Sequence, residues 1–231
     1  MLINVHEIPE EYESNIRKKL NEKGTGVKLI DTTFEDIITS FRSVITEYDT
    51  EMNMIIDDYE DYCNSANLIS IEDRLMRVLP VGKTLTHNFK YDLYYAPTSR
   101  SYNRRHSYLG LYNQKAIKGV GEIKLIVDAE YSKETKQLEY EVVEGDQKKL
   151  PEEVKDDIIQ AMIQGEEDFG YQIYKGHRFF IVHEFIKTEF KKESSGGLLG
   201  ARYFDLTEYD LEKEELNTEL IAEKLKEKEW K

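Results

Sequence analysis

Apolar and polar residues in the N-terminal part of the chain recur mostly with a helical period. Apolar side chains return every three or four residues over 34–48 and again over 52–63, which predicts two amphipathic helices. The short apolar runs 2–5 and 27–30 are typical of strands, and Pro9 suits the first turn of a helix between them. Because two short strands do not form a stable sheet alone, we expect this region to pack on the rest of the chain or to extend a partner's sheet.

A period of two replaces the helical period after residue 64. Alternating apolar and polar residues, separated by turn residues, predict strands over 74–80, 84–95, 108–112, 116–131, 137–143, 171–174, 178–185 and 203–206. One helix is predicted over 151–163, and a charged helix over 211–231. We therefore predict an α+β protein with three parts: an acidic helical region with two short strands at 1–73, a small β-barrel at 74–210, and the charged C-terminal helix.

The 231-residue chain has a formal net charge of −14, and this charge is unevenly distributed. Residues 1–73 carry 6 basic and 17 acidic side chains, residues 74–127 carry 10 and 2, and residues 128–231 carry 16 and 27. The net charges of the three segments are therefore −11, +8 and −11. This balance argues against nucleic-acid binding by the bulk surface, but it indicates one basic region between acidic flanks.

Several classes of function lack their sequence signals. Cys63 is the only cysteine, which excludes an intrachain disulfide and a cysteine-based zinc site. No signal-like segment follows Met1, and no apolar run approaches the roughly 20 residues of a membrane helix. The chain also has no nucleophile elbow and no dinucleotide-binding fingerprint. We therefore expect a cytoplasmic binding module with no cofactor, metal or membrane partner, rather than an enzyme.

The loop over residues 94–106 interleaves arginines with tyrosines and small hydroxyl residues. Guanidinium groups bind phosphates and tyrosine rings stack on bases, so this pattern favours a nucleic acid or a nucleotide as the ligand. The predicted contacts are Arg100, Tyr102, Arg104, Arg105 and His106, with Tyr95 and Tyr112 lining the pocket. The alternative is that the basic loop docks on the acidic helices of the same chain.

Residues 108–123 predict two strands joined by a polar turn, with Gly119 and Gly121 inside the second strand. Glycine within a strand indicates a bulge, a bend or the close approach of a ligand. This strand–turn–strand resembles the central hairpin of the PUA-like superfamily, which includes the EVE, ASCH and YTH modules. The resemblance implies a compact barrel that binds nucleic acid, often by reading a modified or flipped base. Lys118, on the second strand of this hairpin, is also a predicted contact.

A second polar segment, residues 187–203, contains three glycines beside hydroxyl and basic residues. The backbone N–H groups of such a loop can bind an anion, although the Gly-Lys-Ser ending of a Walker loop is absent. Lys191, Lys192 and Arg202 are predicted to close one rim of the binding site. The alternative is a mobile hairpin without a ligand.

Two other functions stay open. The acidic flanks are typical of a protein–protein module, such as an inhibitor, a DNA mimic or a regulatory subunit, whose partner binds the acidic N-terminal helices. Glu122 and Lys124 form a Glu-x-Lys pair that, with Asp92, is similar to the Mg²⁺ site of restriction-endonuclease-like enzymes. The N-terminal strand–helix units also resemble parts of nuclease-type α/β domains, which would place the protein in a nuclease-associated defence or restriction assembly.

Overall fold

The computed structural model of the protein describes residues 2–6, 8–24, 26–46, 48–66, 68–100, 105–145, 149–211 and 216–231. These residues form helices together with a mixed sheet, which confirms the predicted α+β class. Contacts divide the chain into two units, residues 1–70 and residues 71–231. In the described ranges, no helix has the length and apolar character that crossing a membrane requires.

The first unit contains a two-stranded sheet and three helices. Its elements are β1 (Leu2–Asn4), α1 (Glu10–Glu22), β2 (Asp31–Thr33), α2 (Phe34–Arg42) and α3 (Thr50–Ser65). Strands β1 and β2 pair in parallel. Strand β2 lies after the predicted run 27–30 because the Asp31 carboxylate anchors the later segment, where it accepts a 2.6 Å hydrogen bond from the Ile8 N–H.

Helix α2 begins at a capping box. The Thr33 hydroxyl accepts a hydrogen bond from the Asp36 N–H (3.0 Å), and the Asp36 carboxylate accepts one from the Thr33 N–H (2.7 Å). These two bonds satisfy N–H groups that lack a partner within the first helical turn. Helices α2 and α3 and the segment after them then share a small apolar core. Its buried residues are Ile38, Ile56, Cys63 and Ile69.

The second unit contains nine strands and three helices within the described residues. Its strands are β3 (Leu75–Pro80), β4 (Leu93–Pro97), β5 (Tyr108–Asn113), β6 (Ala116–Ser132), β7 (Gln137–Glu144), β8 (His177–Val182), β9 (Ile186–Lys192), β10 (Arg202–Asp205) and β11 (Glu229–Trp230). Its helices are α4 (Leu85–Tyr91), α5 (Glu152–Phe169) and α6 (Thr218–Lys226).

Strand β6 organises the sheet because it pairs with four other strands. Its first half pairs with β5 and β9, and its second half pairs with β7 and β8. The sheet continues from β5 to β3 and β10, from β9 to β11, and from β8 to β4. No ladder joins the edge strands β10 and β11 in the described ranges, so the sheet is open, in contrast to the closed barrel that we expected. Strand β11 has only 2 residues and offers little backbone for a closing ladder.

Apolar cores cover both faces of the sheet at strand β8. On β8, Phe179 and Ile181 pack into a core with helix α5, whereas Phe180 and Val182 pack into a second core on the opposite face. A third core lies over the other half of the sheet and includes Leu225 of helix α6. Strand β8 therefore carries apolar residues on both faces, so the alternation of a half-exposed strand is weak in its sequence, whereas β7 and β9 keep one exposed face.

Helix α4 occupies most of the segment 84–95 that was predicted as a strand, so this prediction is wrong for its first part. Leu85, His87, Phe89 and Tyr91 alternate along the sequence, which imitates a strand period. A buried amide stabilises the turn from helix to strand instead. Asn88 accepts a 2.9 Å hydrogen bond from the Thr84 hydroxyl and donates one of 2.9 Å to the Leu93 carbonyl.

Three further segments differ from the prediction. Residues 171–174 form no strand, whereas Ile186–Lys192 forms strand β9. The alternation of buried Thr188 and Phe190 is present in β9, but the charged residues before, between and after them make the segment look like a loop. The terminal helix is shorter than 211–231, because the chain forms β11 after α6, and its apolar residues Ile221 and Leu225 are fully buried.

The two glycines of β6 make room for aromatic rings of the same chain. A methyl group at Gly119 would lie 2.6 Å from the Phe89 ring, and one at Gly121 would lie 2.8 Å from the Phe185 ring. The pairing of β6 with β9 also shifts register between Ile117 and Gly119. The predicted bulge is therefore present, but the space beside these glycines is filled by the core and offers no pocket for a ligand.

Candidate nucleic-acid interface

Three of the predicted contact residues lie where side chains of the two edge strands β10 and β11 meet. Lys191 and Lys192 end β9, Arg202 begins β10, and Trp230 on β11 pairs with Lys192. The Lys192 N–H donates a 2.8 Å hydrogen bond to the Lys115 carbonyl, which brings another basic residue to the same place. Below, the basic edge denotes Lys115, Lys191, Lys192, Arg202 and Lys231.

Trp230 is the apolar centre of the basic edge. The Lys192 ammonium lies 5.4 Å from the centre of the Trp230 ring, and the Arg202 guanidinium lies 5.0 Å from it. Both distances suit cation–π contacts. The indole N–H donates to the Phe190 carbonyl (3.2 Å), and the side chain is only 4% exposed. Trp230 therefore positions the two cations but is too buried to stack on a base.

The positive charge of the basic edge is largely uncompensated. Among the residues that the structure describes, Lys115, Lys191, Lys192 and Arg202 form no ion pair with a carboxylate. Arg202 donates to the carbonyl of Lys231, whose own ammonium lies 3.8 Å from a carboxylate oxygen of Glu193. A cluster of cations without carboxylate partners attracts anions from solution.

A glycine-rich loop, residues 193–201, borders the basic edge between β9 and β10. The Lys192 ammonium donates to the carbonyl (3.3 Å) and to the hydroxyl of Ser194, which joins the loop to the edge. Gly196 and Gly200 have φ angles of +93° and +79°, values that favour glycine. Leu199 near the tip is 97% exposed. The loop thus places backbone N–H groups and one apolar side chain beside the cations.

Lys118, also predicted as a contact, has a partner within the protein. Its ammonium donates to both carboxylate oxygens of Glu189 at 2.6 Å, and the lysine side chain is half-buried. Arg74 of the same basic segment likewise pairs with Asp205 at 3.0 Å. Part of the excess charge at 74–127 is therefore neutralised by acidic residues from the C-terminal part of the chain.

The described ends of the basic loop contact the sheet through Tyr94, Phe180 and Tyr203. Arg100 is exposed, and its guanidinium bonds the Tyr94 hydroxyl; burial raises the pKa of Tyr94, while this bond opposes the rise. Arg105 is exposed, whereas His106 is buried with its ring 6.2 Å from that of Phe180. Tyr102 and Arg104 lie outside the described residues.

The two tyrosines that were expected to line a common pocket belong to separate cores. Tyr112 is 6% exposed and packs against Trp230, with ring centres 6.0 Å apart. Tyr95 packs beside α5, and burial raises its pKa to about 12. Both hydroxyl oxygens are buried without a hydrogen-bond partner among the described residues. Because strands β4 and β5 are covered on both faces, these rings stabilise the fold and are not presented to a ligand.

The residues of the nuclease hypothesis form no metal site in the described part of the chain. The Asp92 carboxylate accepts a 2.8 Å hydrogen bond from the Phe185 N–H, and burial raises its pKa. Glu122 lines a shallow depression with His183, and Lys124 is exposed. Within the described ranges, no three His, Cys, Asp or Glu residues are grouped in a way that could hold a metal ion.

An acidic pocket of about 390 Å³ lies over strands β6 and β7. Glu130, Glu139 and Glu141 line it, together with His177. Asp128, also in its wall, is bonded by Arg178 through two hydrogen bonds of 2.6 and 2.8 Å. The surplus of carboxylates repels phosphate, so this pocket is unsuited to a nucleic acid.

Sequence reasoning missed Lys115, Trp230 and Lys231 as parts of the site. Trp230 is the single tryptophan of the chain, which was a usable signal. It was overlooked because its segment was predicted as part of one charged helix. Lys115 lies in the hairpin turn between β5 and β6, and only the pairing of β6 with β9 brings it to Lys192.

Comparison of the chain with models of known protein families, with curated proteins and with solved structures finds no match. The arguments about function therefore depend on the geometry and charge of the chain itself.

Proposed function

We propose that the second unit binds nucleic acid through the basic edge. The observation that carries this proposal is the group of basic residues without acidic side-chain partners near the two edge strands, of which Lys192 and Arg202 contact Trp230, in a protein whose net charge is −14. Neighbouring cations repel one another, and among the described residues no acidic side chain pairs with Lys191, Lys192 or Arg202 to offset this repulsion. A phosphate backbone supplies the missing negative charge, and its binding releases condensed counterions.

The chemistry of the edge favours contact with the backbone of a single strand over base recognition. Lys191, Lys192 and Arg202 bind phosphates, and the N–H groups of loop 193–201 add donors that need no side chain. Leu199 is the exposed apolar group that contacts a base or sugar next to these phosphates. In this proposal, Arg100 and Arg105 extend the contact along the strand, and recognition of a modified or flipped base would belong to that loop.

We also propose that the second unit is a variant of the PUA-like barrel. Side chains from the two edge strands meet although their backbones do not pair. The rings of Phe204 on β10 and Trp230 on β11 lie 5.2 Å apart, and Arg202 donates to the Lys231 carbonyl. These contacts support a sheet that curves until its edges meet, with the basic edge at the seam.

The proposal is tested by titrating a fluorescently labelled single-stranded oligonucleotide, as DNA and as RNA, with the full chain at low salt. The edge variant replaces Lys191, Lys192 and Arg202 by alanine. Since each phosphate contact contributes separately to affinity, we expect binding by the edge variant to be at least about tenfold weaker.

The matched control replaces Lys18, Lys19 and Lys23 of the first unit by alanine, which changes the net charge equally. Affinity in this control should stay within about twofold of wild type, because non-specific charge effects are weak compared with direct phosphate contacts. Equal weakening in both variants would contradict the assignment. If the edge variant loses its fold by circular dichroism, Lys115→Glu with Lys191→Glu gives the same test, since both side chains are exposed.

A further inference from the structure

The hairpin of α2 and α3 in the first unit leaves an apolar groove open to solvent. The groove has a volume of about 230 Å³, and almost all of its exposed lining is apolar. Its lining residues are Ile37, Phe41, Met52, Ile55, Ile56 and Tyr59. Ile56 also belongs to the small apolar core of the first unit, so the groove lies directly against that core.

Several large apolar side chains around the groove are exposed to solvent. Ile55 is 61% exposed, Phe41 is 45% exposed, and Val44 and Tyr48 at the same end of the hairpin are still more exposed. Single exposed apolar residues are ordinary, but a contiguous patch with a concave centre marks a binding surface. Methionines such as Met52 also adapt readily to different apolar partners.

The groove is set in a strongly acidic surface. Residues 34–65 contain nine acidic residues and one arginine, a net charge of −8. That arginine, Arg42, already bonds Asp57 (2.9 Å) and Glu60 (2.5 Å). On the other side of α3, helical spacing places Glu51 and Asp58 next to Ile55, and neither forms an ion pair among the described residues.

We propose that this groove binds a basic amphipathic helix of another protein. An apolar face of such a helix fills the groove with side chains at helical spacing, and flanking lysines or arginines meet Glu51 and Asp58. A second copy of the hairpin is a poor occupant, because it would bring another charge of −8 against the first. This surface lies in the first unit and is independent of the proposed nucleic-acid binding by the second.

The test uses the full chain and a designed peptide of leucine and lysine, about 18 residues long, with leucines at helical spacing so that it folds on the groove. Isothermal titration measures its Kd at moderate salt. Two peptides of the same length serve as controls: one with the same residues in scrambled order, and one with glutamate in place of lysine. We expect binding of the first peptide only.

Variants of the protein distinguish peptide binding in the groove from non-specific attraction to the acidic surface. Ile55→Asn removes an exposed apolar contact and should weaken binding by about tenfold, whereas Ile30→Asn, at a 57% exposed position outside the groove, should not change it. Glu51→Gln with Asp58→Asn should weaken binding, and Glu10→Gln with Glu11→Gln on α1 should not.

Three outcomes overturn the proposal. Equal binding of the ordered and scrambled peptides would show that charge alone attracts them. Equal affinities for Ile55→Asn and Ile30→Asn would place the contact elsewhere on the chain. A dimer in light scattering that Ile55→Asn dissociates would assign the groove to a second copy of this protein. None of these results bears on oligonucleotide binding by the basic edge, so the two proposals fail separately.

Discussion

The basic residues of the second unit differ in whether a carboxylate of the protein pairs with them. Lys118 meets both oxygens of Glu189, whereas Lys191 meets no carboxylate among the described residues. Nothing in the sequence distinguished these two lysines, since both were predicted contacts. Strand pairing determines which of them lies beside a carboxylate. Residue type alone therefore identifies candidate contact residues. The fold determines which of them have no ion-pair partner within the protein.

Tyr95 gives a test at this scale. Its hydroxyl is buried without a hydrogen-bond partner among the described residues, so Tyr95→Phe should raise the free energy of unfolding by about 1 kcal/mol. Burial raises the pKa of Tyr95 to about 12 from 10.0, so ionisation of this residue does not affect stability below pH 10. As pH rises from 10 to 12, the unfolded wild type ionises at Tyr95 before the folded protein does, and the free energy of unfolding falls.

Urea denaturation at neutral pH and across that alkaline range measures both effects. The variant should lose less stability than wild type in the alkaline range, and its oligonucleotide affinity should be unchanged, because Tyr95 does not belong to the basic edge. A less stable variant would show that the hydroxyl has a stabilising partner.

Gly121 gives a second test. An added methyl group would lie 2.8 Å from the Phe185 ring and 2.9 Å from Val182, so Gly121→Ala should lower the free energy of unfolding by about 1–3 kcal/mol. Gly197→Ala is the matched control, since nothing lies within 4 Å of its added methyl group. Equal stability of the two variants in urea denaturation would mean that the close packing at Gly121 is not present in solution.

At the scale of elements, the sequence predicted best where burial follows a simple period. The α2 and α3 helices and strands β3, β5, β6 and β7 lie close to their predicted positions, because each carries a clear stripe or alternation. Helix α4 was missed because its apolar residues alternate by coincidence, and β9 because lysines occupy its outer face. These two elements depend on contacts such as those of the buried Asn88 amide, which cannot be predicted from the local sequence pattern.

Strand β11 has only 2 residues, yet its tryptophan contacts three other strands of the sheet. Trp230 packs on Tyr112, Phe190 and Phe204 with ring centres 5.2–6.3 Å away. Trp230→Ala should therefore lower the free energy of unfolding by about 3–5 kcal/mol, and Trp230→Phe by clearly less, since it keeps most of the apolar volume. Circular dichroism in urea measures both changes. A loss below about 1 kcal/mol for the alanine variant would contradict the packing of β11 against the sheet.

At the scale of the whole molecule, charge is separated between two surfaces with different chemistry. The N-terminal unit presents an apolar groove within an acidic surface, and the C-terminal unit presents a basic edge. The uneven charge along the chain predicted the acidic surface of the first unit, but it assigned the basic region to residues 74–127, whereas four of the five residues of the basic edge lie at 191–231. It did not predict the place, because Lys115, Lys192 and Arg202 are far apart in sequence and only the ladders of β6, β9, β10 and β11 bring them close.

The salt dependence of oligonucleotide binding tests the central claim most directly. Affinity of the wild type for a labelled single strand should fall linearly with salt on logarithmic axes, because phosphate contacts release counterions. Removing Lys191, Lys192 and Arg202 should reduce the steepness of that line by about 2, as expected for three lost phosphate contacts on a single strand. An affinity independent of salt, or an unchanged slope in the folded edge variant, would contradict nucleic-acid binding at the basic edge.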